Sequence, residues 1–284
     1  MSSPTLYRPE RSLLRLQGKD RLKWLQGVVT GELTTMKAGE GCFTAACNRQ
    51  GKMVGVMTVH LQDDQILLEV DRSNVEGLKA HFDRYIIMED VELTDLSQEW
   101  SIFELQGVGA WKALSLSPLP WYHHVGWKNG VVSSNRSLGQ EGVTLLLPSE
   151  EKISFEEGSQ EEYEDLRVAN GFPKWGVDMG PEELPMEAGL ECLAISYGKG
   201  CYLGQEVILR VRNFGAPPKQ LVLVEGEGLV AGAEINVGDE IVGKVTSSSK
   251  EVALGYVKKK WKSPGTTVEV DRLSAVVASL PWQK

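Results

Sequence analysis

Apolar residues along this chain recur with two periods, and the switches between them mark out the elements. Leu22, Leu25 and Val29 fall at helical spacing behind Asp20, a good N-cap, so a helix is expected from Asp20. Next come two β-prone runs, Cys42 to Ala46 and Met53 to Leu61, and the polar turn Asn48-Arg49-Gln50-Gly51 between them predicts a hairpin. Ile66 to Val70 reads as a third strand. Ser73-Asn74-Val75-Glu76 matches a capping box ahead of Leu78, Phe82, Tyr85 and Ile86, which predicts a helix from about 74 to 87. Val91 to Leu93 returns to a strand pattern, giving the stretch an α+β character with mostly antiparallel pairing.

Ile102 to Leu105 and Val143 to Leu147 are further strands, and a helix near Glu161 to Asn170 has Gly171 to terminate it. Pro173, Pro181 and Pro185 then favour an extended path. Beyond Pro217-Pro218 the texture changes. Leu221 to Val224, Glu240 to Val245, Val252 to Val257, Thr267 to Val270 and Ala275 to Leu280 are short β-prone runs split by Gly, Asp, Ser or Pro. That spacing fits a small β-barrel or sandwich of about 65 residues.

With 284 residues, 42% of them hydrophobic and 24% charged, the chain has apolar mass for two or three packed units. No apolar run reaches the length of a bilayer span, and Arg8, Glu10, Arg11 and Arg15 stand where a secretory signal is apolar. A cytoplasmic protein without a membrane partner is expected. Cys42, Cys47, Cys192 and Cys201 form no CxxC pair, so reduced thiols are expected. His60, His81, His123 and His124 fit no zinc pattern, and no resident metal is expected; adjacent His123 and His124 read as two half-exposed side chains.

The net charge of −9 speaks against wrapping a nucleic-acid duplex. Its distribution says more: residues 1–60 hold nine Lys/Arg against four Asp/Glu, and residues 140–191 hold three against fourteen. Basic segments converging on one face would suit a small anionic ligand, while runs such as Glu156-Glu157 and Glu161-Glu162 read as a solvated helix face.

One segment stands apart: Lys199-Gly200-Cys201-Tyr202-Leu203-Gly204-Gln205-Glu206. Its glycines allow close backbone approach, and a cysteine beside a lysine has a route to an activated thiolate. Lys199 and Cys201 are therefore the candidate catalytic pair, with Gly200, Tyr202, Gly204, Gln205 and Glu206 as the loop around them. Such a thiolate serves as nucleophile, metal ligand or redox sensor. The alternative on the residues alone is a tight loop whose Cys is a small buried apolar group.

KGCYLGQE resembles the signature of the YgfZ family of folate-binding proteins, which includes the Iba57-type iron–sulfur assembly factors. Arg167-Val168-Ala169-Asn170-Gly171-Phe172-Pro173 is similar to that family's R-I-E-A-G-x-P stretch, and Leu184-Pro185-Met186-Glu187-Ala188 to its L-P-x-E-A. Upstream, GKDRLKWLQGVVTGEL resembles the opening shared with the glycine-cleavage (GcvT) aminomethyltransferases. The resemblance implies a three-domain GcvT-like ring with folate near its centre and a C-terminal β-barrel. The implied division is 1–36 with 99–185, then 37–98 with 186–218, then 219–284. Implied folate contacts are Arg167 and Asn170, with Arg210, Arg212 and Lys219 for the glutamate tail; on the residues alone those last three read equally as a solvated edge.

Departures from the pattern bear on chemistry. Gly55 and Val56 stand where the aminomethyltransferases carry the carboxylate that acts on the folate nitrogen, and Cys201 replaces the Asp of their K-x-D-F-I-G segment. Ala169 replaces the family's Glu, leaving Asn170 as a neutral substitute. The expected function is an accessory protein that binds tetrahydrofolate or a derivative and helps assemble or repair iron–sulfur clusters in client enzymes, including tRNA-thiomethylating ones. Cys201 is then a transient [4Fe–4S] ligand or a thiol-exchange site. The alternatives are a folate-dependent aminomethyl- or methyl-transferase with an acid relocated to Asp63, Asp64 or Asp71, and a protein-binding platform using Trp175 or Trp261.

Overall fold

The computed structural model describes residues 3–135, 137, 139 and 142–283. The expected hairpin forms: Gly41–Cys47 pairs with Met53–Leu61, which pairs in turn with Ile66–Asp71. Arg11–Gln17 and Glu92–Asp95 complete a five-stranded antiparallel sheet in the order 41–47, 53–61, 66–71, 11–17, 92–95. Residues 1–36 were expected to go with 99–185. Thr5–Tyr7 does pair with Trp100–Gln106, while Arg11–Gln17 pairs with Ile66–Asp71, where Leu14 and Leu16 share the apolar face of Leu68 and Val70.

A second sheet has the order Glu156–Glu157, Thr5–Tyr7, Trp100–Gln106, Val143–Pro148, Gly130–Ser134, His124–Trp127. Within it, the Glu156-Glu157 run expected on a helix adds a short parallel edge to Thr5–Leu6. The third unit is a closed barrel of six strands, the five expected runs plus Glu234–Val237. The fold is thus α+β with mostly antiparallel sheets and a C-terminal barrel.

Among the described residues the helices are short: α1 (Arg21–Val28), α2 (Val75–Asp83), α3 (Ala110–Ala113), α4 (Gln160–Ala169), α5 (Glu191–Ala194) and α6 (Gln205–Phe214). None is long and apolar enough to cross a membrane. Helix α2 stops four residues short of expectation and has no capping box. Asp71 at the strand end accepts from Ser73 N (2.9 Å) and starts a 3₁₀ turn, while Asn74 Nδ2 donates to Val54 O (2.8 Å) and ties the helix to the sheet. The capping box occurs at α4, between Ser159 and Glu162. The proline-spaced stretch is also not extended, since Lys174 O accepts from Asp178 N (2.9 Å) and closes a turn.

Period-two alternation decides what each strand face touches. Leu14, Leu16 and Leu68 pack against Trp24, Leu25 and Phe82 of α1 and α2. Leu13 and Leu67 point the other way, onto Ile102, Val131 and Leu146 of the second sheet. Each such leucine contributes about 1.5–3 kcal/mol by leaving water. His124 shares the interior, 5.4 Å ring to ring from His60. It is buried and not half-exposed; burial, helped by His60 and His123, pushes its pKa down from 6.5 to about 4.

The unfolded chain protonates at this histidine first as pH falls, so the associated stability is full above pH 6.5 and lost towards pH 4. Urea titrations across that range should show a loss of about 2–3 kcal/mol that His124→Phe reduces, and parallel curves for parent and variant would contradict it.

Candidate functional site

The same alternation that buries Leu13, Leu67 and Ile102 between the sheets puts Arg11, Glu69 and Glu104 two residues further along on that face. There they form a buried polar network. The Arg11 guanidinium binds Glu69 Oε1 and lies 3.2 Å from Glu104 Oε1. His60 Nε2 sits 3.4 Å from Glu69 Oε2, and Glu104 accepts from Tyr163 Oη (3.4 Å) and Ser137 Oγ (2.9 Å). Burial alone would raise both carboxyls. Arg11 and His60 overcome it at Glu69, which is held at about 2, whereas at Glu104 burial prevails and the pKa is raised.

This network forms one wall of a central pocket. Phe43, Val56 and Met57 from the hairpin and Phe172, Trp175 and Met179 from the turn after α4 supply an apolar and aromatic lining, with Lys174 and Asp71 at its polar side. Gly55 is closed off: a Cβ there would come within 2.5 Å of Asn74 Nδ2 and 2.8 Å of Leu78. Among the lining carboxylates, Glu69 is ionised by Arg11, Glu10 pairs with Lys174 at 3.1 Å, and Asp71 caps the turn before α2.

Of the expected folate contacts, only Arg167 lines this pocket, and it is not free to bind a ligand. It makes four hydrogen bonds, Nε to Glu164 Oε2 (2.9 Å), Nη1 to Phe172 O (2.6 Å) and Asp178 Oδ2 (2.7 Å), and Nη2 to Ser247 Oγ (3.0 Å), and Nη2 also lies 2.8 Å from Glu164 Oε2 as an ion pair. It fastens α4, the following turn and the barrel together. Asn170 ends α4 and donates to Leu166 O (2.8 Å). Arg210 is exposed on α6, Arg212 stacks 3.6 Å from the Tyr197 ring, and Lys219 pairs with Glu183 at 2.8 Å. None of these four lines the pocket.

The KGCYLGQE loop packs against the turn after α1. Gly204, at φ +85°, lies so close to Asn48 O that a Cβ would stand 2.5 Å from it, so only glycine suits both the backbone and the space. Tyr202 is buried in the same core cluster as Phe43, Phe172 and Trp175, which links the loop to the pocket. Gln205 opens α6 and reaches back to Gly200 O (3.4 Å); Glu206 sits in the first turn of α6, where the helix dipole favours a carboxylate. Cys201 is exposed, which removes the buried apolar reading.

Lys199 is placed differently from expectation. Its ammonium, an ammonium with three donors, gives them to Gln26 O (2.7 Å), Val29 O (2.8 Å) and Gly31 O (2.6 Å), so none remains for a thiolate at Cys201. Burial pushes its pKa down to about 8, against the opposing pull of Glu32, so it stays charged at neutral pH. The residues that sequence reasoning missed, Arg11, Glu69 and Glu104, do carry a signal: a lone charge interrupts an apolar run in Ile66-Leu67-Leu68-Glu69-Val70 and in Ile102-Phe103-Glu104-Leu105.

Comparison with known proteins agrees with this architecture. Residues 12–117 match the family described as the GCVT N-terminal domain. A putative chloroplastic transferase of Arabidopsis thaliana is 28% identical over 95% of this chain and 68% of its own length. An aminomethyltransferase of Rubrobacter xylanophilus is 27% identical over 84% of this chain and 70% of its own. An iron–sulfur cluster assembly factor of Mycosarcoma maydis, a mitochondrial IBA57 homolog, is 26% identical over 75% of this chain and 55% of its own. The glycine cleavage system aminomethyltransferase T of Bartonella henselae has the same fold, with a TM-score of 0.87 over 99% of this chain and 86% of that one at 19% identity. The chain is GcvT-like in sequence and in fold.

Proposed function

We propose that this protein is a folate-binding accessory factor that supports iron–sulfur client enzymes, in the manner of the YgfZ-type proteins its motif resembles, and does not catalyse aminomethyl transfer. The observation that carries the reading is an exposed Cys201 on a fixed loop, together with a pocket lined by Val56, beside Gly55, at the positions where the resemblance puts the transferring acid. On the neighbouring strand Asp71, next in register to Val56, accepts from Ser73 N in the turn before α2, and Glu69, opposite Thr58, is a poor substitute as an acid. Arg11 holds it ionised far below neutral pH, so it has no proton to give.

The lining is of a kind that would take part of a folate: a flat heterocycle would suit the aromatic Phe172 and Trp175, and Lys174 would serve a carboxylate tail by exchanging it for Glu10 or Glu164. Bound there, the folate would supply a one-carbon carrier; the chain's own part is to hold the ring and exclude water. Asn170, Arg210, Arg212 and Lys219 are left out of this arrangement. The cluster of a client enzyme is cargo, and Cys201 is the group that meets it.

The test is the activity of a [4Fe–4S]-dependent tRNA methylthiotransferase in cells that lack their own protein of this type. The parent chain should restore it and an equally abundant Cys201→Ala variant should not, while the melting temperatures of the two agree, since an exposed thiol contributes little to packing. Rescue by both would remove the thiol from the mechanism. The transferase reading is favoured by the two relatives named as transferases and by the whole-chain fold match. Turnover of a methylamine donor with tetrahydrofolate by the purified chain would establish it.

A further inference from the structure

The segment from Ala194 to Leu203 is stitched to the turn after α1 along its whole length. Thr30 Oγ1 donates to Ala194 O (2.6 Å), Ser196 N to Thr30 O (2.9 Å) and Leu203 N to Gly27 O (3.1 Å). Lys199 stands in the middle. On either side of it the backbone is unpacked, because a Cβ built at Gly198 or at Gly200 would meet nothing within 4 Å. Crowding therefore does not set the loop's shape there, and the lysine's three hydrogen bonds do.

Those three acceptors are not incidental. Gln26 O and Val29 O belong to the C-terminal end of α1, where carbonyls lack helical partners and the helix dipole is negative. Gly31 O faces the same point. Three carbonyls at 2.6–2.8 Å from one atom make the kind of cage that holds monovalent cations by replacing part of their water shell. The side chain is 7% exposed, so leaving these oxygens unpaired on truncation would cost the fold a desolvation penalty.

We infer that the carbonyls of Gln26, Val29 and Gly31 form a monovalent-cation site, that the Lys199 ammonium fills it from within the chain, and that Lys199 thereby positions Cys201. Lys199 is a positioning residue, acting on where the thiol stands. The inference concerns the loop's geometry and is independent of what Cys201 does for a client.

The test uses the full chain with Cys192→Ser and Cys42→Ser, which remove the other exposed thiol and the half-buried one beside Lys199; Cys47 is buried, and burial pushes its pKa to about 12. Lys199→Ala removes four side-chain atoms, and n-propylammonium has those four. Its addition should raise the melting temperature of the variant by about 2–4 °C and return the alkylation rate of Cys201 by iodoacetamide, altered severalfold by the substitution, to the parent's value. Tetramethylammonium, which has no N–H, should do neither at equal ionic strength. Lys199→Met fills the stem without a charge, so it should show the altered alkylation rate and no rescue by propylammonium. If Lys199→Ala does not fold unaided, refolding yield with propylammonium against tetramethylammonium is read instead. Parent-like alkylation in both variants, or equal responses to the two cations, would overturn the inference.

Discussion

Arg167→Met should lower stability by about 3–5 kcal/mol, because removing one partner of a buried ion pair leaves the other charged and uncompensated. Asp178 is 1% exposed and would keep only neutral partners: Thr246 Oγ1 at 2.5 Å, Ser247 Oγ at 2.6 Å and Lys174 N at 2.9 Å. In a chain of this size the loss corresponds to a melting temperature lower by roughly 10 °C. Arg167→Lys keeps the charge but offers three donors in place of five, so it should fall between. Arg167→Met with Asp178→Asn removes both charges and should recover part of the loss, which a double-mutant cycle reads directly. If Arg167 were instead a ligand contact, its replacement would weaken folate binding and leave the melting temperature unchanged. That outcome would reverse the assignment made from its four hydrogen bonds and two ion pairs.

Arg167 shows what the sequence does and does not disclose. Its place beside Asn170-Gly171-Phe172-Pro173 was legible through a motif, and it does line the central pocket. Its partners were not legible, since Asp178 lies eleven residues on and Ser247 eighty, in the barrel. A helix position fixes a residue's face but not which distant hydroxyl reaches it. Arg210, Arg212 and Lys219 lie close to the signature in sequence but away from this pocket, since α6 carries the first two out along its exposed side.

Local signals did better where local physics decides. The hairpin of 41–61, the helix behind Ser159 and the strand-rich segment after Pro218 each follow from alternation and turn chemistry within a dozen residues. The capping box at Ser73 failed because Asp71, two residues earlier and at the end of a strand, reaches the Ser73 amide first. Lys199 and Cys201 were picked out correctly as unusual, yet adjacency in sequence suggested a contact that the loop does not make. A lysine side chain is long enough to choose among many acceptors, and three unpaired carbonyls at a helix end outcompete one neighbouring thiol.

Arg11→Met should change the protein's response to pH at Glu69. In the parent, Glu69 is held at about 2, below the ordinary 4.5, so the stability it contributes is present above pH 4.5 and lost as pH falls towards 2. Without Arg11, Glu69 and Glu104 remain 3% and 2% exposed and lose their permanent cation, leaving His60 at 3.4 Å from Glu69 as a weaker partner. Burial and mutual repulsion then raise both carboxyls above their unfolded values, so the folded variant binds protons where the unfolded chain does not. At neutral pH the variant should be less stable by about 3–5 kcal/mol, and it should gain more stability than the parent on acidification to about pH 5, because in the parent only Glu104 of the two is raised. Glu69→Gln added to Arg11→Met removes one of the two charges and should flatten that gain. Urea titrations of the three proteins at the two pH values decide the matter: a loss independent of pH would mean that Arg11 serves by packing alone, and that the charged wall of the pocket is not what holds the two sheets in register.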